Sequence, residues 1–195
     1  MITQLIKRVS AVMLPIVLLS LPFTTSVVHA NTLADSGNEL TTLYRAARKV
    51  ISKNQALINE QRSGKKLTAD FVIKKTLANF KAASGKALNT KKDPLGGKKA
   101  MLEAVRSVMD DAQDLINDAD VGFKGFLPAI FARQVGTAFG KNTGGKVTIK
   151  LTAPKKYVRN RANRPDKWEK SVISGKFAKS DYEKGKPFFE DSSVK

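Results

Sequence analysis

Three arginines, two asparagines and the only tryptophan of the chain fall within Tyr157–Glu169, YVRNRANRPDKWE. A guanidinium can hold a carboxylate or phosphate through two parallel hydrogen bonds. An indole offers an apolar, stacking wall. The candidate ligand-binding residues are therefore Arg159, Asn160, Asn163, Arg164 and Trp168, at the rim of a pocket. The same residue types also build a capped loop-to-helix junction with solvated arginines, and both readings stay open on sequence alone. In that junction Asn160 and Asn163 tolerate left-handed backbone and bond their own turns. Asn163 is the expected N-cap, accepting the Asp166 N–H, and Pro165 suits the first turn. Asp166 puts negative charge where the helix dipole favours it. Trp168 and Val172 share the face expected to dock the helix.

The rest of the composition removes chemistries. There is no cysteine, and the one histidine is His29. Disulfides, thiolate catalysis and thiolate metal sites are excluded. No histidine base is available beyond the first thirty residues, and no G-x-S-x-G nucleophile motif occurs. Gly96-Gly97 and Gly144-Gly145 punctuate loops and form no phosphate-binding fingerprint. Asp166 and Glu169, three residues apart, suit helix capping better than acid/base catalysis. Asp110, Asp111, Asp114, Asp118 and Asp120 crowd a helix C-terminus, the unfavourable end for negative charge. Their spacing is not that of a calcium loop, so they are expected to pair with the basic remainder of the chain. Neither a metal site nor an enzyme is expected.

Residues 1–30 read as a signal peptide: Lys7 and Arg8 lead, Ala11–Phe23 is apolar, and Val28-His29-Ala30 is a cleavage-site pattern. The apolar run is shorter than the ~20 residues of a spanning helix. Cleavage after Ala30 and a periplasmic address are the expectation. The formal net charge is +18, which attracts anionic partners such as head groups, envelope polymers or small acidic ligands. No segment interleaves basic and aromatic residues as single-strand binders do. That and the address argue against nucleic acid.

Four helices and a sheet are expected to position these residues. Apolar residues at steps of three and four predict helices over 38–62, 68–82, 100–117 and 129–139, with Thr68 as a cap and Pro128 in a first turn. A Gly- and Lys-rich loop covers 85–99. The alternation VTIKL predicts a strand over 147–151, ended by Pro154, and Tyr182–Glu190 is read as a second strand. A last helix is expected over about Pro165–Phe177.

VGFKGFLPAIFARQVGTAFG, then VTIKLTAP, then YVRNRANRPDKWE, resemble a family of extracytoplasmic haem-binding sensor domains with a PAS-like fold; NQALIN in the first helix is similar too. Many members were long filed as a domain of unknown function. They occur as stand-alone periplasmic proteins and as the sensor part of membrane histidine kinases. The resemblance runs from about the first helix to Phe189. It implies an α+β fold, long N-terminal helices on a small, incomplete PAS-like antiparallel sheet, and a single domain over 31–195. Typical members carry haem on a Cys-x-x-Cys-His segment, which this sequence lacks through Lys195. The chain is thus a shortened member or one that has lost the cofactor, and no residue here inherits haem attachment. The function implied is a periplasmic ligand-binding or sensory module without covalent haem. It would take a small anionic or apolar ligand and act through a membrane sensor or envelope partner protein. The alternative is a basic envelope-associated protein that binds anionic surfaces by charge.

Overall fold

Leu40, Leu43, Tyr44, Ala47, Val50 and Ile51 follow helical spacing, and all six are buried. The stripe belongs to α1 (Phe23–Lys53), the first helix of a computed structural model that describes residues 23–158, 160–183 and 185–190. Of the signal peptide expected over 1–30, residues 1–22 lie outside the described residues and 23–30 belong to α1. Asn54 breaks the expected first helix: its N–H donates to the Ile51 carbonyl and its side-chain amide to the Val50 carbonyl at 2.7 Å. A short α2 (Gln55–Asn59) follows. Thr68 caps α3 (Ala69–Ser84), accepting the Phe71 N–H at 3.3 Å, and Gly85 ends it at φ 73°. Next come α4 (Gly97–Asp111) and α5 (Gln113–Asn117), separated by Ala112. Pro128 opens α6 (Pro128–Asn142) from its first turn. Single 3-10 turns at Lys155–Tyr157 and Arg161–Asn163 lead to α7 (Lys167–Gly175).

The core is a four-helix bundle. α1 packs along α3 and α4 along α6, while α3–α4 and α1–α6 contacts close the ring. Leu43, Ile51, Phe80, Met101, Met109 and Phe139 fill it, each fully buried. Ridge-to-groove packing of such large side chains is the main stabilising term in a bundle of this kind.

The two halves of the bundle repeat one another. Gln55-Ala56-Leu57-Ile58-Asn59 is matched by Gln113-Asp114-Leu115-Ile116-Asn117, each a short helix after a break. Their contacts are exchanged between the halves. Gln55 Nε2 donates to the Phe126 carbonyl at 3.2 Å, and Gln113 Nε2 to the Leu67 carbonyl at 3.3 Å. Asn117 Oδ1 accepts the Lys65 N–H at 2.8 Å, and Asn59 Oδ1 accepts the Lys124 N–H at 3.2 Å. Phe80 in α3 answers to Phe139 in α6, and the left-handed Gly85 to Gly144. An approximate two-fold relation between a helix–break–helix–loop–helix unit and its copy accounts for all of these pairings.

Two buried lysines sit where the units meet. Lys65 Nζ donates to the Ile58 carbonyl at 3.0 Å and to the Ile116 carbonyl at 2.5 Å, so one cation serves the C-terminal ends of both short helices. Lys124 Nζ donates to the Asp118 and Val121 carbonyls. Burial above all, and then the Lys124 charge, lower the pKa of Lys65. The ion pairing expected of Asp110, Asp111, Asp114, Asp118 and Asp120 does not form among the described residues; the helix-end carbonyls take the cations instead.

The expected α+β fold is corrected: there is no strand and no PAS-like sheet among the described residues. Val147, Ile149 and Leu151 do point into the core, as their alternation requires, but the segment 147–154 is an extended strap laid across the bundle. An alternating pattern reports one buried face; it does not require that the buried face be shared with another strand. The strap comes close because α6 has glycine at 136, where a Cβ would lie 2.7 Å from the Ile149 carbonyl oxygen. Thr143 Oγ1 anchors its start by donating to the Val147 carbonyl at 2.8 Å. The second expected strand, Tyr182–Glu190, does not form among the described residues; Tyr182 Oη donates to the Lys186 carbonyl.

Candidate functional site

Once the strap is seated on Gly136, Lys150 reaches the start of α7. Its Nζ lies 2.6 Å from Glu169 Oε2 and 3.2 Å from the Arg164 carbonyl. Glu169 Oε2 also accepts the Asp166 N–H at 2.8 Å, while Asp166 Oδ1 accepts the Glu169 N–H at 2.8 Å. This is a capping box. The N-cap is therefore Asp166, whereas Asn163 closes the preceding 3-10 turn and Pro165 stands before the cap. The box uses both carboxylates for structure, and Lys150 ties it to the strap.

A cavity of about 520 Å³ opens between the strap, α6 and the start of α7. Tyr44, Arg133, Thr137, Lys150, Asn163 and Trp168 are among its lining residues. Tyr44 is 2 % exposed, and its hydroxyl donates to the Ala132 carbonyl at 2.7 Å. Burial pushes its pKa up to about 12, against the opposing charge of Arg48. Arg133 has no carboxylate partner among the described residues. Lys150 is paired with Glu169, and the other charges of the lining are Arg133 and Asp166, whose carboxylate caps α7.

The sequence candidates divide. Asn163 and Trp168 line this cavity. Trp168 is 50 % exposed, its indole N–H donates to Glu190 Oε2, and its ring lies 6.4 Å from that of Phe188. Of the pair expected to dock α7, only Val172 is buried. Arg164 lines a separate groove of about 440 Å³ with Pro154, Pro165 and Ile173. Asn160 spends its side chain on the 3-10 turn, accepting the Ala162 N–H at 2.9 Å. Arg159 lies outside the described residues. Arg133, Lys150, Tyr44 and Thr137 were not among the candidates. Lys150 was legible as the outward residue of VTIKL; nothing in the sequence distinguishes Arg133 from other helix-surface cations.

A family model described as Tll0287-like matches residues 29–190. The chain belongs to the Tll0287-like family. The match covers the bundle, the strap and the α7 junction of this Tll0287-like chain, the reach over which the family resemblance was read. No curated protein and no solved structure matches the chain.

Haem, the group implied by the family resemblance, finds no free axial donor in the 520 Å³ cavity of this Tll0287-like chain. Axial ligation calls for a free His, Cys, Met or Tyr donor facing a cavity. Met101 and Met109 are fully enclosed by the bundle core. Tyr44 is the one such residue lining the 520 Å³ cavity, and its hydroxyl is committed to Ala132 and hard to ionise. Among the described residues no group of three or more His, Cys, Asp or Glu side chains is gathered for a metal ion.

Proposed function

We propose that this chain is a periplasmic ligand-binding or sensory module, without covalent haem, that takes a small anionic ligand in the cavity between the strap, α6 and α7. The observation that carries this reading is the Arg133 guanidinium, without a carboxylate partner among the described residues, in the same cavity as the Trp168 ring. A fork of N–H donors beside an aromatic wall suits a small carboxylate with an apolar body. The role is binding, not catalysis: the two carboxylates nearest the cavity, Asp166 and Glu169, are consumed by the capping box. A membrane sensor or envelope protein would receive the signal.

Export rests on the leader pattern in residues 1–30. No helix among the described residues is long and apolar enough to cross a membrane. Mass spectrometry of a periplasmic extract is expected to find a chain beginning at Asn31; finding only the uncleaved chain in the cytoplasm contradicts export.

The binding test is a thermal-shift screen of small mono- and dicarboxylates against the parent and Arg133→Gln. A ligand at a hundred times its Kd adds about 2.7 kcal/mol of stability. At least one carboxylate is expected to raise Tm in the parent and not in the variant. Equal shifts in both, or none in the parent across the panel, contradict the reading.

A further inference from the structure

A second groove, of about 480 Å³, runs between α1 and α3. Thr42, Arg45, Arg48, Lys49 and Ser52 form its α1 wall, and Asn79 reaches across from α3, its Nδ2 donating to the Ala46 carbonyl at 3.3 Å. Arg45, Arg48 and Lys49 stand at helical spacings of three and four, so their charges share a face and repel. None of the three has a carboxylate within ion-pair distance among the described residues.

The repeated architecture supplies an internal control. Aligned on Gln55 and Gln113, the positions of Arg45, Arg48 and Lys49 are occupied in α4 by Glu103, Arg106 and Ser107. Arg106 is already paired with Asp70 at 2.6 Å, and Glu103 lies 3.8 Å from Lys99. The second half forms its own groove, of about 460 Å³, lined by the matching Ser107. The groove is thus a consequence of the helix packing, which both halves share. At these three matched positions the second half carries a single cation, already paired, and its groove is lined instead by Arg133, Lys141 and Asp111.

We propose that the α1/α3 groove binds a phosphate group carrying at least two negative charges, with Arg45, Arg48 and Lys49 as its cations and the Thr42 and Ser52 hydroxyls as further donors. Guanidinium forks match phosphate oxygens in pairs, and an ammonium adds a point charge. Hydroxyl donors complete the shell without adding charge. This site is separate from the cavity of Arg133 and Trp168, and neither depends on the other.

The experiment titrates pyrophosphate into the full protein by calorimetry at moderate salt. It uses the parent, an Arg45→Glu/Lys49→Ser variant, and a control, Lys167→Glu/Lys66→Ser, with the same charge change on other elements. The first variant installs the residues that the second half carries at the same positions, which that half folds with. One-to-one binding is expected, weakened about tenfold or more by the groove variant and far less by the control. In a parallel arm, vesicles containing phosphatidic acid, whose phosphomonoester can carry two negative charges, are sedimented with each protein. Vesicle binding that falls with the groove variant assigns the phosphate to a lipid headgroup; vesicle binding unchanged by it, with pyrophosphate binding lost, assigns a soluble ligand. Either supports the site. No saturable pyrophosphate binding to the parent, or equal weakening by groove variant and control, overturns it.

Discussion

Replacing Gly136 with alanine sets two effects of known sign against each other. In a helix interior, Gly→Ala is favourable by roughly 0.5–1 kcal/mol. At position 136, however, the new Cβ meets the Ile149 carbonyl oxygen at 2.7 Å, a backbone atom that no rotamer change can move. The strap must retreat by several tenths of an ångström, drawing Ile149 off the core and loosening the Lys150–Glu169 pair. Overpacking of this kind costs about 1–3 kcal/mol. Gly140, one turn along the same helix, is the control: its Cβ would find only Thr148 Cγ2, at 4.0 Å. Gly140→Ala is therefore expected to keep the helical gain, and the two variants should differ by about 1–3 kcal/mol. Urea unfolding followed by circular dichroism measures both. If Gly136→Ala is as stabilising as Gly140→Ala, the strap is not seated on α6 and the cavity beneath it is not formed as described.

The repeat predicts that Gln55→Ala and Gln113→Ala cost similar amounts, each about 1–2 kcal/mol for a lost pair of side-chain hydrogen bonds; unfolding energies differing by several kcal/mol count against equivalent halves. Acid stability should depend on Glu39. Its burial raises the pKa, but hydrogen bonds and charge from Lys86 and Lys98 outweigh this and hold it below the usual carboxylate range. A carboxylate depressed in the folded state contributes stability above its unfolded pKa of about 4.3, and that contribution is lost as pH falls through the lower folded value. Urea midpoints between pH 7 and pH 3 should fall more steeply for the parent than for Glu39→Gln, whose side chain does not titrate; parallel curves refute the coupling.

Helical elements were legible because their signals are local. Thr68 caps and Pro128 opens helices where their side-chain chemistry places them. Single residues interrupt the helices expected over 38–62 and 100–117: Asn54 and Ala112 break a continuous pattern without erasing it. The sheet was misread because Val147, Ile149 and Leu151 bury one face against helices, and an alternation cannot say what lies opposite it. The repeat escaped because Gln-x-Leu-Ile-Asn is short and its significance lies in exchanged contacts with distant carbonyls. At the site, Trp168 and Asn163 stood out by type, whereas Arg133 matters because a strap from later in the chain builds a cavity beside it.

Trp168 is the only tryptophan, so the indole reports on the proposed cavity without labelling. The most direct measurement is its emission during titration with succinate, in the parent, Arg133→Gln and Arg45→Glu. A saturable, single-site change is expected in the parent and in Arg45→Glu, and its disappearance in Arg133→Gln. An indole that does not respond to the titration, or responds identically when Arg133 is replaced, contradicts binding at this cavity.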